Sequence, residues 1–294
     1  MQTYSTFLSQ YNYVSQSRQA EEYEIERERL QLGSKLGEGR FGMVCEGVYH
    51  QNLRRRLKVA VKESKTLQED NTLMLEAQMM MSLLHPHLVA LVGTCMLERP
   101  YQLVVEFMAN GDLKSYLAAC DSVTPKEEVD SMTILSIARQ IGSAMAFLEQ
   151  RSIIHRDLAA RNILVSEQGL RELKLADFGL ARAMSTESGY LSSNETLPFR
   201  SLAPEVFQTQ TFTSASDVWA FAVLLWECST LAKERPYSNA RNGAEVFQQL
   251  KSGFRLQRPP LCVEDIYRIM QRCWEFNPAQ RPSFAVLLHE FATM

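Results

Sequence analysis

The chain lacks paired cysteines. Its six, Cys45, Cys95, Cys120, Cys228, Cys262 and Cys273, are scattered, with no C-x-x-C pair and no histidine at ligand spacing. That excludes a disulfide framework and a structural zinc site, and reads as reduced thiols of a cytosolic compartment. A basic excess is missing too, since the net charge is −3, which argues against a nucleic-acid or membrane-surface partner. Met1 to Ala20 is polar and rich in Ser, Gln and Tyr, so it lacks the apolar stretch of a signal peptide. No apolar run approaches the ~20 residues of a membrane span. There is no internal repeat and no low-complexity tract. A soluble chain is expected, with no nucleic acid and no membrane contact of its own.

What is present is an ordinary globular composition. With 46% hydrophobic and 22% charged residues in 294, the chain can bury a sizeable core as one two-lobed unit or two small domains. Residues 1–29 read as a polar, tyrosine-bearing linker that ends in the charged run Glu21 to Arg29. From Leu30 the apolar positions alternate through Val44, Val48, Val59 and Val61, which predicts a three-strand meander, with Arg54-Arg55-Arg56 at an exposed hairpin tip. Leu73 to Leu84 has helical propensity and stops at His85-Pro86; Leu88 to Val92 and Leu103 to Phe107 are of strand length. Beyond a hinge near Met108 the pattern turns helical, with Asp112 as N-cap of Leu113 to Leu117, a polar loop over 118–131 and a long helix over Ile134 to Leu148. The fold class is α+β and two-lobed: a small antiparallel-sheet lobe with one main helix over residues 30–108, and a larger helical lobe over 109–294.

Several segments carry chemistry. Gly37-Glu38-Gly39-Arg40-Phe41-Gly42-Met43-Val44 is a G-x-G-x-x-G-x-V. Dinucleotide-binding folds share those glycines but follow them with a helix, whereas Met43 to Tyr49 continues in strand-like alternation. A glycine-rich hairpin can lower its backbone onto a triphosphate because no β-carbon blocks the approach. A plain glycine-rich turn stays open on these residues alone. Val59-Ala60-Val61-Lys62 ends the third strand on a lysine, and Glu76 lies on the following helix. A lysine held by a carboxylate can reach the α- and β-phosphates of ATP. His155-Arg156-Asp157-Leu158-Ala159-Ala160-Arg161-Asn162 and Asp177-Phe178-Gly179 supply a carboxylate for an incoming hydroxyl, an amide oxygen for a metal, and a second carboxylate for a bridging magnesium.

With Ala203-Pro204-Glu205, Asp217 in Ser216-Asp217-Val218-Trp219, and Arg281, this ordered set resembles the protein kinase family over Leu30 to Phe291. The resemblance implies ATP and Mg2+ as cofactors, with Leu36 and glycines 37, 39 and 42, together with Glu38, Arg40, Phe41, Met43 and Val44, covering the nucleotide. Ala60 and Leu164 would flank the adenine, the backbones of Glu106 and Met108 would bond its edge, and Val105 would be the gatekeeper. It further implies that Lys62 pairs with Glu76, that Asp157 is the catalytic base with Arg161 beside it, and that Asn162 and Asp177 hold magnesium. Leu91, Met80, His155 and Phe178 match stacked apolar residues of the active state, and Glu205 with Arg281 a buried ion pair.

Serine/threonine kinases usually place a lysine two residues after the catalytic Asp; here that position is Ala159 and the cation is Arg161. That wording, and Leu197-Pro198, resemble tyrosine kinases. The implied activity is transfer of the ATP γ-phosphate to tyrosines of protein substrates, in signalling, with autophosphorylation at Tyr190 in the activation loop by a trans-acting second copy. A cytoplasmic setting is implied, free or as the intracellular part of a receptor or membrane-associated longer protein. Tyr23 to Leu30 and Phe212 to Trp219 look like the focal adhesion kinase group, Gly111 to Leu117 like insulin-receptor-type kinases, and the subfamily stays open. Two positions depart from the pattern. Ser201 stands where tyrosine kinases have tryptophan, in the peptide-docking segment, and Ala222 where they usually have glycine. A pseudokinase scaffold and a dual-specificity kinase are the rival readings.

Overall fold

A computed structural model describes residues 21–39, 42–52, 54–120, 127–183, 190–191 and 198–294, with backbone alone at 38–39 and 190–191. The chain divides into two compact units. The first contains the described residues up to His85 plus Val89–Phe107, and the second contains Pro86–Leu88 and Met108–Met294.

The first unit is built on one antiparallel sheet in the order β1-β2-β3-β5-β4, from β1 (Leu30–Gly39), β2 (Gly42–His50), β3 (Arg56–Glu63), β4 (Leu91–Cys95) and β5 (Gln102–Glu106). Alternation works as expected: Val59 and Val61 of β3 join Leu30, Tyr49, Cys95 and Val104 in one buried cluster. Strand β4 begins at Leu91 rather than Leu88, because Leu88 instead bridges Leu175 in the second unit. Helix α1 runs over Leu67–Met81, six residues ahead of the expected start, because Thr66 and Glu69 form a reciprocal capping box. Its inner face buries Leu73, Ala77, Met80 and the carboxylate-bearing Glu76.

The charged run before β1 is not simply solvated. Glu24 bridges Thr94 on β4, Ile25 N–H donates to Thr94 O at 2.8 Å, and the Glu24 carboxylate accepts from Thr94 Oγ1 (2.8 Å) and Met96 N (2.7 Å). Arg27 donates to the carbonyls of Glu98 and Pro100 at 2.6 Å each, and Ile25 packs on the sheet's core cluster. Gly93 permits this approach, since a Cβ there would lie 2.8 Å from Ile25 Cγ2.

In the second unit, helices α2 (Leu113–Cys120), α3 (Ser131–Gln150), α4 (Pro204–Thr209), α5 (Ser214–Ser229), α6 (Gly243–Lys251), α7 (Glu264–Cys273) and α8 (Phe284–Thr293) pack with short two-stranded ladders. These are β6 (Ile153–Ile154) with β9 (Arg182–Ala183), β7 (Ile163–Ser166) with β8 (Gly169–Leu175), and β10 (Tyr190–Leu191) with β11 (Thr211–Phe212). Asp112 caps α2 through Ser115 N–H at 2.9 Å, and Asp130 starts α3 three residues before Ile134 through a capping box with Thr133. Contrary to the run-length expectation, α3 is long and apolar enough to cross a membrane. Its Ile134, Ile137, Ile141, Ala144 and Leu148 are fully buried inside the unit, which is the place of a core helix.

Glu205, on α4, and Arg281 make the expected ion pair, two N–H···O bonds of 2.7 Å each. The Arg281 side chain is fully buried and also donates to the carbonyls of Ala215 and Glu275, both at 2.8 Å. Glu205→Ala leaves that cation buried without its partner, which costs about 3–5 kcal/mol. A thermal melt is expected to show Tm lower by about 6–12 °C. A melt unchanged from wild type would mean the pair contributes no net stability.

Candidate active site

In the first unit the glycine segment forms the hairpin between β1 and β2: Gly37 pairs Val44, and Gly39 pairs Gly42. No helix follows, which removes the dinucleotide alternative. Gly42 has φ +124°, and a Cβ there would collide with Glu63 O, so the turn admits no other residue. Arg40 and Phe41 lie outside the described residues, as do the side chains of Glu38 and Gly39. Leu36 is about half exposed at 49%, while Val44, Met43 and Ala60 are half-buried. Ala60 sits between Glu46 on β2 and Val105 on β5. Lys62 and Glu76 are together: Nζ donates to Oε2 at 2.6 Å, with the two side chains 14% and 4% exposed. Glu106 ties the end of β5 to Ala90 through both backbone and side chain, at 3.1 and 2.7 Å.

In the second unit Asp157, Arg161 and Asn162 converge. Arg161 Nη2 donates to Asp157 Oδ1, and Asn162 Nδ2 donates to Asp157 Oδ2 (2.8 Å) and to its carbonyl (2.7 Å). The Asp157 carboxylate is thus aimed from both sides, and the Asn162 amide oxygen is turned to the other side of the group. The loop is held from below. Asp217, buried on α5, accepts from His155 N (2.7 Å) and Arg156 N (2.9 Å); burial pushes its carboxyl up to about 7 against those donors. His155 is buried with its pKa lowered by desolvation, so the ring is neutral. One ring nitrogen lies 3.2 Å from Ala176 O, the other accepts Asp157 N–H at 3.4 Å, and its edge meets the Phe178 ring at 5.4 Å. Ala176 N–H donates to Asn162 O at 2.8 Å. These contacts lock the loop to the segment that carries Asp177.

Asp177 (φ +62°) and Arg156 (φ +71°) both adopt the left-handed conformation, strain that clusters where side chains are forced into functional positions. Met108 is buried with its carbonyl accepting Gly111 N–H at 3.3 Å, and Leu164, half-buried on β7, bridges Asp112. The backbone of Tyr190 pairs with Phe212, but its side chain, like residues 184–189 and Leu197, lies outside the described residues.

A residue the sequence reading missed is Glu227. It sits in the apolar stretch Phe221 to Cys228 of α5, its carboxyl raised by burial, and accepts Ala160 N–H at 3.1 Å. One acid in a run such as Phe221 to Cys228 was the signal that could have revealed it. Nearby, a cavity of about 500 Å³ is lined by Ala159, Arg161, Pro198, Phe199, Ser201 and Glu227, among others. Ser201 turns its hydroxyl back to Pro198 O at 3.1 Å.

The family described as protein tyrosine and serine/threonine kinase matches residues 30–291, which takes in the groups described in each unit. The chain belongs to that family. As a kinase chain it is 41% identical over 278 residues to tyrosine-protein kinase transforming protein Abl of Abelson murine leukemia virus, covering 93% of this chain and 35% of that protein. To human tyrosine-protein kinase ABL2 it is also 41% identical, over 93% of this chain and 22% of the relative. To Drosophila melanogaster tyrosine-protein kinase Abl it is 39% identical, over 95% and 16%. The kinase chain therefore spans between about a sixth and a third of the length of these relatives.

Proposed function

We propose that this chain is an ATP-dependent protein tyrosine kinase domain that transfers the γ-phosphate of ATP to tyrosine hydroxyls of protein substrates. The observation that carries this reading is the carboxylate of Asp157, oriented by Arg161 on one oxygen and Asn162 on the other, with Ala159 rather than a lysine between them. Similarity to kinases named for tyrosine supports the choice of hydroxyl.

Asp157 positions the substrate phenol and accepts its proton, while Arg161 holds the carboxylate and lies where the transferred charge passes. Lys62, kept in place by Glu76, steadies the α- and β-phosphates, and the hairpin from Gly37 to Val44 covers them. Adenine contacts are assigned to Leu36, Val44, Ala60, Leu164 and the backbones of Glu106 and Met108. The Asn162 amide oxygen and the Asp177 carboxylate are hard oxygen donors, which suits Mg2+, a cation that takes its remaining ligands from phosphates and water. Bound Mg2+ neutralises charge on the phosphates. Residues 30–108 and 109–294 are assigned as the two lobes and 1–29 as the segment that leads into them. Protein substrates bearing tyrosine, and a second copy acting in trans, are the partners, in a cytoplasmic setting. Transfer from radiolabelled ATP to a poly-Glu-Tyr polymer tests the reading, with a serine/threonine peptide expected to stay unlabelled. Label on the second substrate alone would overturn it.

Tyr190 is assigned as the activating autophosphorylation site. It is the one tyrosine between Asp177 and Glu205, and its backbone pairs with Phe212, whose ring lies 4.5 Å beneath the Arg156 guanidinium. A phosphate adds about −2 charge and three acceptor oxygens, and Arg156 and Arg182 are the cations assigned to receive it. Arg156 now donates to Leu180 O at 3.1 Å and Arg182 to Ala181 O at 2.7 Å, so capture exchanges carbonyl partners for phosphate and re-seats the segment after Asp177. Incubation with ATP and magnesium should put phosphate on Tyr190 as activity rises, and Tyr190→Phe should abolish that rise. A phenylalanine variant that activates fully contradicts the assignment.

A further inference from the structure

Helix α1 has to present Glu76 to Lys62, yet its apolar residues do not select one rotational setting. Leu73, Ala77 and Met80 are buried, but Leu67, Met74 and Leu75 lie exposed on the outer side. A helix that is apolar nearly all round gains little from one orientation over another, because hydrophobic burial has no direction. Directional contacts supply the setting instead. Lys62, near the end of β3, and Ser64, just beyond it, each meet a buried carboxylate of α1: Lys62 Nζ donates to Glu76 Oε2 at 2.6 Å, and Ser64 Oγ donates to Asp70 Oδ1 at 2.5 Å. Their two-residue spacing turns both side chains to the same side. Asp70 and Glu76 are about 9 Å apart along the helix axis and about 120° apart around it, the two edges of the buried arc. The Asp70 end is reinforced. Arg99 Nε, in the turn between β4 and β5, pairs with Asp70 Oδ2 at 2.7 Å, so each carboxylate oxygen has its own partner. Ser64 is tied in turn to the start of β5, since its N–H donates to Tyr101 O at 3.0 Å and its Oγ accepts Tyr101 N–H at 3.1 Å. Arg27 holds the carbonyls on either side of Arg99, those of Glu98 and Pro100, so the turn that carries the guanidinium is itself anchored.

We propose that Asp70, gripped by Ser64 and Arg99, is a positioning residue for phosphoryl transfer: it sets the rotation of α1 about its axis and so keeps Glu76 on Lys62. One fixed point lets a helix turn about it; two, at different heights and on different edges of the buried arc, do not. Without the Arg99 charge, Asp70 is buried with Ser64 alone, and a fraction of the molecules carries Glu76 away from Lys62. A Lys62 that has lost its carboxylate no longer steadies the α- and β-phosphates, so ATP affinity falls with the competent fraction. An acid in the first turn of a helix also favours the helix dipole, but that role neither depends on Arg99 nor reaches Lys62. The proposal rests on the kinase reading above for what Lys62 holds, and adds to it the residues that hold the partner of Lys62.

Arg99→Gln is the variant that tests it, because the Arg99 side chain is 45% exposed and its replacement leaves no hole in the core. Dissociation constants for ATP with magnesium and for adenosine are measured by calorimetry on the whole chain. Adenosine has base and sugar but no phosphates, so its binding does not call on Lys62. Arg99→Gln is expected to weaken ATP about fivefold and adenosine by less than about twofold, with the peptide KM unchanged. Arg99→Lys, which restores the charge, should recover most of the loss. In the Glu76→Gln background, where the pair is already gone, Arg99→Gln should add less than about twofold. Equal weakening of ATP and adenosine, or a loss that persists in full in the Glu76→Gln background, assigns the contact to stability alone and overturns the proposal. Unchanged ATP affinity in Arg99→Gln overturns it as well. If wild type binds ATP no better than adenosine, the kinase reading fails, and amide hydrogen exchange of the nucleotide-free protein judges the Asp70 contact by itself. Faster exchange over Leu67–Met81 in Arg99→Gln then upholds the contact as the setting of α1, and equal exchange overturns it.

Discussion

Asp157→Asn is expected to lower kcat for peptide phosphorylation about a thousandfold, with the Kd for ATP changed by less than about twofold. The asymmetry follows from the contacts. Asp157 touches Arg161 and Asn162, and the proposed mechanism assigns its carboxylate to an incoming hydroxyl rather than to the nucleotide. Asparagine is nearly isosteric and can still accept from Arg161. Its amide nitrogen cannot accept from Asn162, but the bond from Asn162 Nδ2 to the residue's carbonyl remains, so the loop should keep its shape while the proposed acceptor of the phenol proton is gone. The loop's other anchors, His155 N–H and Arg156 N–H on Asp217, do not involve the substituted group. Wild-type turnover in the purified variant would mean the base lies elsewhere. Unchanged melting of the variant guards against a trivial loss of fold.

Asp177→Asn should fail differently, losing turnover to a similar extent and also magnesium-dependent nucleotide binding. A carboxylate is a strong ligand for a hard cation and a neutral amide a weak one, so the magnesium titration of ATP affinity should shift to higher concentration by about tenfold or more. Asp177 holds the left-handed backbone that starts the turn Phe178–Leu180, and asparagine is tolerated in that conformation nearly as well as aspartate. The substitution therefore tests the ligand and not the turn. Coincident magnesium curves for variant and wild type would count against the metal role.

Only some parts of the site are legible in the sequence. Groups close together along the chain, such as Asp157 with Arg161 and Asn162, or the turn from Gly37 to Val44, are written as local motifs, and the structure brings them together where the motif implies. Lys62 and Glu76 were legible through the resemblance to kinases, which implies that the strand lysine pairs with the helix glutamate, as it does here. Thr66 and Glu69 form a readable capping box, and it sets the start of α1 six residues before Leu73. What stayed hidden depends on contacts between distant segments. Nothing near Glu24 announces that Thr94 and Met96 will receive it, or that Gly93 will make room for Ile25. Glu227 reaches Ala160 across 67 positions, and Leu88 leaves the expected strand because Leu175 pairs with it. Likewise Ser201 was visible as a departure, but only the packing around Pro198, Phe199 and Pro236 shows that a cavity opens there.

The most direct measurement of the central claim is phosphoamino-acid analysis of a mixed protein substrate that offers tyrosine, serine and threonine, labelled with radioactive ATP and magnesium. Wild type should deposit label on phosphotyrosine with none on the other two, and Asp157→Asn should deposit none at all. Label on phosphoserine or phosphothreonine at comparable levels would contradict tyrosine specificity. Equal labelling by wild type and Asp157→Asn, or by neither under conditions where Lys62 and Glu76 are intact and ATP binds, would contradict the account of the site itself.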